Sequence, residues 1–338
     1  MTSAAATSAP FPWSGRDDGP GPEHLRWHRA VTSRAVDASG GERPAGDGGV
    51  RGVALVGFAS DEGVRRNQGR TGAAAGPDAL RRALAPLALH TDVPIADIGT
   101  VTVDGTDLEG GQDRLGDRVA AALDAHDLVV VLGGGHETAW GSYLGRTRST
   151  RLGETGQGTD QRGRRVGVLN LDAHFDLRTA DAPSSGTPFR QMAAADEAAG
   201  RDFRYTVLGI SEPSNTRALF ATAAGLGVTW LTDEQCTPAN LPAVLGAVDA
   251  LLADVDALQL SIDLDVLPAA VAPGVSAPAG YGVGLEVIHA VCRHVARSGK
   301  LALVDVVELL PALDTDQRTA RTAARLITAL VHEAAGAV

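Results

Sequence analysis

The sequence predicts a three-layer α/β/α sandwich around a mostly parallel sheet of about eight strands. From Val53 onward, short β-branched runs alternate with longer Ala/Leu-rich stretches, which is the pattern of βαβ units. The composition, with 44% hydrophobic and 21% charged residues, is that of a globular protein able to bury a large core. Polar residues follow several strand runs at their carboxyl ends, where open parallel sheets bind ligands.

The chain of 338 residues is interpreted as one catalytic domain preceded by an arm. Residues 1–50 are rich in Ala, Ser, Gly, Asp and Pro, but Trp13 and Trp27 interrupt that composition. Part of this arm is therefore expected to pack on the body. Residues 51–338 are expected to form a single domain, in which the polar stretch Arg146–Arg165 is an exposed loop.

The elements are expected in a regular order. The first strand is VALVGF, followed by a helix that ends near Leu89 and by a helix near Gly116–His126. The remaining strands are expected at LVVVLGGG, VGVLNLD, YTVLGI, GVTWL, ALQLSIDLD and LALVDVVEL. Further helices are expected at Leu241–Ala253, Leu285–Ala296 and Thr319–Ala335.

Charge and composition exclude several classes of function. A formal net charge of −11 and a sequence pI near 5.2 argue against binding to nucleic acid or anionic membranes, and the acidic excess suits a cation site; the expected partner is a small-molecule substrate. No apolar run approaches the roughly 18 residues that cross a bilayer, and the first residues do not resemble a signal peptide. Cys236 and Cys292 are interpreted as buried thiols, so a cytoplasmic location is expected.

Three predicted strands end in closely spaced polar residues. They are Leu128–Glu137 (LVVVLGGGHE), Val166–Asp176 (VGVLNLDAHFD) and Leu258–Asp265 (LQLSIDLD). In the second segment, Asp172, His174 and Asp176 occupy every second position, so an extended backbone would direct all three to one side. Asp263 and Asp265 alternate in the same way in the third.

Four carboxylates that point into one cleft would repel each other unless cations neutralise them. Two divalent ions would balance these charges, and His136 and His174 would complete the ligand set. Carboxylate and imidazole ligands without thiolate favour manganese, while zinc, cobalt, nickel and iron remain alternatives. Two ions about 3.5–4 Å apart can share a water and lower its pKa. The pattern therefore indicates a metal-dependent hydrolase.

Each of these residues also has a simpler interpretation. An isolated Asp or His at a strand end is more often a helix cap than a metal ligand, but two alternating arrays beside Gly-Gly-Gly-His make coincidence improbable. Gly133–Gly135 could suggest a phosphate-binding loop, although neither GK[ST] nor GxGxxG is present. Glu308, at the end of LVDVVEL, either caps the following segment or faces the cleft and binds a cation.

These motifs resemble those of the ureohydrolase superfamily, whose members cleave a C–N bond of a guanidinium or amidine with two manganese ions. GGGHE, DAHFD and SIDLD followed by APGVSAPAGYG match its metal motifs, and VDVVELLPALD matches its C-terminal motif. The resemblance implies an arginase-like fold and two Mn²⁺ ions per subunit. The metal ligands that it implies are His136, Asp172, His174, Asp176, Asp263 and Asp265.

Within that superfamily, other segments are most similar to the formimidoylglutamase family. They are PWSGRDDGP, Gly63–Pro77, Asn170–Arg178, Ser184–Gln191 and Ser211–Phe220. This resemblance implies hydrolysis of N-formimidoyl-L-glutamate to L-glutamate and formamide in histidine degradation, by a homo-oligomer. Asp176 is then expected to pass a proton to the leaving amine and Glu308 to bind the amidinium. The candidate substrate-binding residues are Arg178, Arg70, Ser185, Asn215 and Glu308.

Three positions separate this chain from other members of the superfamily. Ser185 stands where agmatinases usually carry a His, and Phe189 stands where arginases carry a His used in proton transfer. Many members have an Asp-Pro pair after the second Asp motif, whereas Pro268 in this chain is not preceded by Asp. This difference mildly disfavours arginase. Two alternatives stay open. One is an agmatinase or guanidino-acid hydrolase that releases urea, and the other is a catalytically silent metal-binding protein of the same fold.

Overall fold

A computed structural model describes residues 10–33, 51–153 and 163–336. In this part of the chain, nine strands form one sheet in the order β1-β3-β2-β4-β9-β8-β5-β6-β7, and all neighbouring strands pair in parallel. The strands are β1 (Val31–Ser33), β2 (Val53–Ala59), β3 (Ile95–Thr102), β4 (Leu128–Leu132), β5 (Val166–Leu171), β6 (Tyr205–Ile210), β7 (Thr229–Thr232), β8 (Ala257–Asp263) and β9 (Leu301–Val307).

Helices connect the strands and cover the sheet. The α-helices are α1 (Trp27–Ala30), α2 (Glu62–Arg66), α3 (Gly76–Leu84), α4 (Leu108–Ala125), α5 (Thr138–Arg148), α6 (Pro188–Ala198), α7 (Arg217–Gly225), α8 (Leu241–Asp254), α9 (Leu285–Ala296) and α10 (Arg318–Gly336). Short 3₁₀ helices lie at Pro22–His24, Ala73–Ala75, Glu212–Ser214, Pro238–Asn240, Leu264–Val266, Pro311–Leu313 and Thr315–Gln317. Within the described residues, no helix has the length and apolar character needed to cross a membrane.

Two apolar layers lie on opposite faces of the sheet because successive strand residues point to opposite sides. Leu55 of β2 belongs to the layer that packs against α3, α8, α9 and α10, whereas its neighbour Val56 packs in the layer that includes α4. Buried side chains of α5, α6 and α7 form a third cluster with β5 and β6. The predicted three-layer α/β/α sandwich is confirmed, with nine strands rather than about eight.

The two strands that the sequence pattern did not reveal are β1 and β3. Strand β1 lies in the predicted arm and pairs with β3 at the edge of the sheet. Strand β3 contains Asp97, a residue type that is rare in buried strands. Asp97 is nevertheless buried because the Arg81 guanidinium donates to both of its oxygens, at 2.9 and 2.8 Å.

Several predicted boundaries were wrong for local reasons. Helix α4 begins at Leu108, well before Gly116, because the Asp107 side chain accepts a hydrogen bond from the Gly110 amide and caps the helix. Helix α3 ends before the predicted Leu89, since Pro86 follows its last turn. The predicted loop 146–165 starts later, because α5 continues to residue 148, and residues 154–162 lie outside the described ranges.

The arm is attached to the body through a hydrogen bond from Trp13. Its indole N–H donates to Asp97 Oδ2 at 2.9 Å, next to the buried Arg81 guanidinium.

Trp13→Phe keeps an aromatic ring at this position but removes the donor to the charged Asp97 acceptor. We expect the free energy of unfolding, measured in urea, to fall by about 1–2 kcal/mol. Trp140→Phe is the control, since no hydrogen bond of its indole N–H occurs among the described residues. Equal losses in both variants would contradict this account.

Candidate metal centre

The predicted metal ligands and Glu308 meet at the carboxyl ends of four adjacent strands in the middle of the sheet, β4, β9, β8 and β5. His136 follows β4, Glu308 follows β9, and Asp263 is the last residue of β8. Asp172 directly follows β5. Strands β4 and β5 are consecutive in the chain but separated by β9 and β8 in the sheet. Ligands bind in open α/β sheets at such a change of strand order.

Three carboxylate oxygens converge on one nitrogen of His136, and we refer to these four residues as the first cluster. His136 Nδ1 lies 3.1 Å from Asp172 Oδ2 and 3.0 Å from both Asp176 Oδ2 and Asp263 Oδ2. The His136, Asp172 and Asp263 side chains are buried, and that of Asp176 is nearly so.

A second cluster lies beside the first and shares one of its members. His174 Nδ1 lies 3.0 Å from Asp265 Oδ2 and 3.5 Å from Asp172 Oδ1. Asp172 therefore presents one oxygen to each cluster. Asp263 also connects the two, because its Oδ1 accepts a hydrogen bond of 2.8 Å from the Asp265 amide. The two groups, His136 with Asp172 and Asp263, and Asp172 with His174 and Asp265, each have ligand atoms close enough to hold a metal ion.

Burial and mutual repulsion perturb the titration of these groups. Burial alone lowers the pKa of His136, but the surrounding carboxylates outweigh it and raise that pKa well above its usual range. Burial raises the pKa of Asp263 strongly, and the charges of Asp265 and Asp172 add to the effect. The pKa of Asp176 is likewise raised, first by burial and then by Asp172. Divalent cations would remove this repulsion and let every acid ionise.

The donor atoms fit a divalent cation better than they fit hydrogen bonds to one another. A ring hydrogen on His136 Nδ1 could point to only one of its three oxygen neighbours, and the buried nitrogen has hydrogen-bond geometry with none of them. Neighbouring ligands at right angles around an ion lie about 3 Å apart when each bond is about 2.1 Å. The separations in the first cluster match that spacing.

The ligands converge because the chain bends, and not because it stays extended. Strand β5 ends at Leu171, and the following segment turns so that Asp176 has φ +47°. Asp265 likewise lies in a 3₁₀ helix beyond β8. The predicted extended alternation was therefore wrong past the strand ends. Glu308 also has a left-handed backbone, with φ +66°, and such conformations in non-glycine residues concentrate at functional sites.

Glu308 lies next to the first cluster but contacts it through backbone. Its Oε1 accepts a hydrogen bond of 2.8 Å from the His136 amide, and its side chain is buried. Burial, with the nearby Glu137 carboxylate next in importance, raises the pKa of Glu308 to about 8. The predicted role in binding an amidinium stays a prediction.

The two candidate arginines differ in what their guanidinium groups contact. Arg178 is exposed, its amide donates to Gly186 O, and its side chain has no hydrogen-bond or ion-pair partner within the ranges that the structure describes. Arg70 instead donates to the backbone oxygens of Ser276 and Val275, both at 2.8 Å. Arg178 is therefore the more available of the two for a ligand.

Two other candidate residues take part in the loops around the site. Ser185 Oγ accepts a hydrogen bond of 3.2 Å from the Asn67 amide group. The Asn215 side chain accepts from the Phe175 amide and donates to the oxygens of Ala173 and Ser211, so it stabilises the segment that carries the candidate ligand His174. Substrate binding by either residue stays a prediction.

Sequence reasoning missed a second layer of residues behind the ligands. Asn170 donates to Asp172 Oδ2 at 2.9 Å, and Ser261 Oγ lies 3.0 Å from His136 Nε2. A partner at Nε2 favours the tautomer that leaves the Nδ1 lone pair free for a metal. Both residues stand two positions before a ligand, so extending the period of two backwards into β5 and β8 would have found them.

Comparison with known proteins adds independent information. Residues 51–332 match the arginase family. The chain is 57% identical over 319 residues to formimidoylglutamase of Nocardia farcinica (strain IFM 10152), covering 94% of this chain and 95% of that protein.

Two solved structures share its fold. Formimidoylglutamase from Bacillus subtilis subsp. subtilis str. 168 aligns with a TM-score of 0.76 at 21% identity, covering 99% of this chain and 96% of that one. Formiminoglutamase of Trypanosoma cruzi with Mn²⁺ aligns with a TM-score of 0.71 at 23% identity, covering 84% and 93% of the two chains.

Proposed function

The chain belongs to the arginase family, and on that premise we propose that it is an amidine hydrolase that converts N-formimidoyl-L-glutamate and water to L-glutamate and formamide, a step of histidine degradation. One observation carries the choice of substrate, namely the 57% identity over nearly the whole chain to a formimidoylglutamase. The convergence of all six predicted ligands at one sheet edge supports hydrolysis over silent metal binding.

We propose that the two clusters hold two Mn²⁺ ions and that Asp172 contributes to both. The ligand set of imidazole nitrogens and carboxylate oxygens supports this choice, as does the Mn²⁺ in the Trypanosoma cruzi relative of the same fold. When bound, such ions supply a strong nucleophile at neutral pH by lowering the pKa of a water. The tautomer that Ser261 favours keeps His136 Nδ1 directed at the first cluster.

The remaining residues would orient the substrate and move one proton. Glu308 is proposed to pair with the N–H groups of the cationic amidine and so to place its carbon at the clusters. Once the oxygen of a water has bonded to that carbon and the water has given up a proton, the bond from the carbon to the glutamate nitrogen would break, and Asp176 is proposed to carry that proton to the departing amine. Phe189, which is buried and packs edge-on against His136 at 5.2 Å, offers no proton at the position where arginases carry a His.

A panel of substrates tests the proposal. Manganese-loaded enzyme is incubated with N-formimidoylglutamate, agmatine and guanidino acids, and formamide, ammonia and urea are measured separately. Formamide and glutamate in equal amounts, from the first substrate alone, are the expected result. Urea from agmatine or a guanidino acid would instead identify a ureohydrolase. No turnover of any member of the panel would support a silent metal-binding protein.

We propose that Arg178 binds a substrate carboxylate, because its guanidinium, two residues beyond Asp176, is exposed and has no partner among the described residues. Arg178→Met should lower kcat/KM for N-formimidoylglutamate about 30-fold, which corresponds to about 2 kcal/mol for a charge-assisted contact. Both metal ions should stay bound, and an alkyl formamidine without carboxylates should react almost normally. Arg164→Met, which changes an exposed arginine at the opposite end of β5, is the matched control and should change neither rate. Equal losses on both substrates would mean that Arg178 supports the metal-binding segment.

The organisation of the protein is also proposed. Residues 51–338 would form the catalytic domain and residues 1–50 an arm, of which 1–9 and 34–50 lie outside the described residues. We propose a homo-oligomer, which light scattering after gel filtration would test. We also propose a cytoplasmic location, supported by two buried cysteines that form no disulfide.

A further inference from the structure

Glu137 is a fully buried carboxylate that none of the proposed steps uses. It follows the candidate ligand His136, and its side chain contacts the segment after β2. Its Oε1 accepts hydrogen bonds from Ser60 Oγ at 2.7 Å and from the Gly63 amide at 3.0 Å. We refer to residues 60–72, which follow β2 and include α2, as the mouth loop.

Residues 133–137, which follow β4, and the mouth loop approach each other too closely for side chains between them. A Cβ on Gly63 would lie 2.6 Å from Glu137 Oε2, and one on Gly135 would lie 2.1 Å from the same atom. A Cβ on Gly134 would lie 1.8 Å from Ser60 O, which also accepts a hydrogen bond from the Gly135 amide. The Glu137 carboxylate therefore occupies the space that side chains at positions 63 and 135 would need.

The far part of the mouth loop contacts two other loops of the site. Asn67 donates to Ser185 Oγ, and Arg66 donates to Pro183 O at 3.1 Å, both in the loop that follows β5. Arg70 donates to the backbone of Val275 and Ser276 in the loop that follows β8. The mouth loop thus contacts both the loop after β5 and the loop after β8. The first of these loops includes Gly186, whose oxygen accepts a hydrogen bond from the Arg178 amide.

These contacts make Glu137 a link between residues 133–137, which follow β4, and the mouth loop, which in turn contacts the loops after β5 and β8. We propose that Glu137 is a positioning residue that fixes the mouth loop and thereby sets the affinity for the carboxylate-bearing end of the substrate, without acting on the reacting atoms. The inference rests on the proposed function, because it assumes a substrate with a formamidine at one end and carboxylates at the other.

The test compares Glu137→Ala, which removes both hydrogen bonds, with Glu137→Gln, which keeps an acceptor oxygen at nearly the same position. For Glu137→Ala, we expect KM for N-formimidoylglutamate to rise about tenfold while kcat changes less than about twofold. Glu137→Gln should restore most of the affinity. Hydrogen exchange should accelerate at the Gly63 amide and along the mouth loop. Elemental analysis should still find the wild-type manganese content.

Two further variants separate positioning from general stability. Gly63→Ala disturbs the same contact from the other side, since its new Cβ would meet the Glu137 carboxylate, and it should reproduce the KM effect even if Glu137→Ala folds poorly. Asp196→Asn changes another buried carboxylate, which accepts from Tyr143 and Arg201 far from the mouth loop. It should reduce stability without changing KM.

The proposal is overturned if an alkyl formamidine without carboxylates loses as much kcat/KM as N-formimidoylglutamate, or if manganese is lost, because Glu137 would then support the reaction centre itself. An unchanged KM in Gly63→Ala would also overturn it. Failure of the proposed function has a different outcome, namely wild-type protein that releases no formamide from N-formimidoylglutamate.

Discussion

Treatment with a chelator followed by dialysis is expected to lower turnover by at least about a thousandfold, because the nucleophile and several kcal/mol of charge stabilisation depend on the bound ions. Manganese should restore activity better than magnesium, which accepts imidazole ligands poorly. The first cluster offers one imidazole and three carboxylates, and the second offers one imidazole as well.

The measurement is the initial rate of formamide release, with metal content determined on the same samples by elemental analysis. Magnesium-treated protein serves as the control for a nonspecific effect of divalent charge. Full activity in protein from which all metal has been removed would contradict the dinuclear mechanism.

Asp172→Asn is expected to remove both ions, whereas Asp265→Asn should remove mainly one. Asp172 presents Oδ2 to His136 and Oδ1 to His174, so the loss of its charge weakens both clusters. The Asp265 side chain, by contrast, belongs only to the group formed with Asp172 and His174, among the ligand groups of the described residues. Turnover should fall on the order of a thousandfold in Asp172→Asn, because breaking a buried charged site costs about 3–5 kcal/mol.

Elemental analysis after dialysis against metal-free buffer decides between the possible outcomes. Near-zero manganese in Asp172→Asn beside about half the wild-type content in Asp265→Asn would support the shared-ligand arrangement. Wild-type metal content with normal turnover in Asp172→Asn would show that the ligand assignment is wrong. Neither substitution changes the size of the side chain, so both variants are expected to fold. Circular dichroism of both variants tests this expectation.

The sequence was most informative where hydrophobic periodicity was strong. Strand β6 and helix α9 have the predicted bounds, because each is an apolar run with clear turn residues at both ends. Strand β3 was missed, because its buried Asp97 is compensated by Arg81, which is distant from it in sequence. Such a pairing is tertiary and leaves no local signal.

The candidate ligands could be identified from spacing because each one lies at or just beyond the end of a strand, and these strands end at the same sheet edge. The residues behind them were harder to identify. Ser261 and Asn170 have ordinary residue types for a strand, and only their contacts with His136 and Asp172 distinguish them. Glu137 was visible within GGGHE, but its partner loop lies more than seventy positions earlier in the chain.

The order of the strands has a consequence for the biosynthesis of this protein. Strand β9 is the last strand along the chain, yet it lies between β4 and β8 in the centre of the sheet. Before Leu301–Val307 leaves the ribosome, the nascent chain can form two half-sheets, each with an unpaired central edge.

Unpaired edges of this kind promote aggregation of incomplete chains. Insertion of β9 satisfies both edges at once and brings Glu308 beside His136 in the same event. Ribosome stalling shortly before Leu301 should therefore yield chains that recruit chaperones and hold metal weakly, whereas the released full-length chain should do neither.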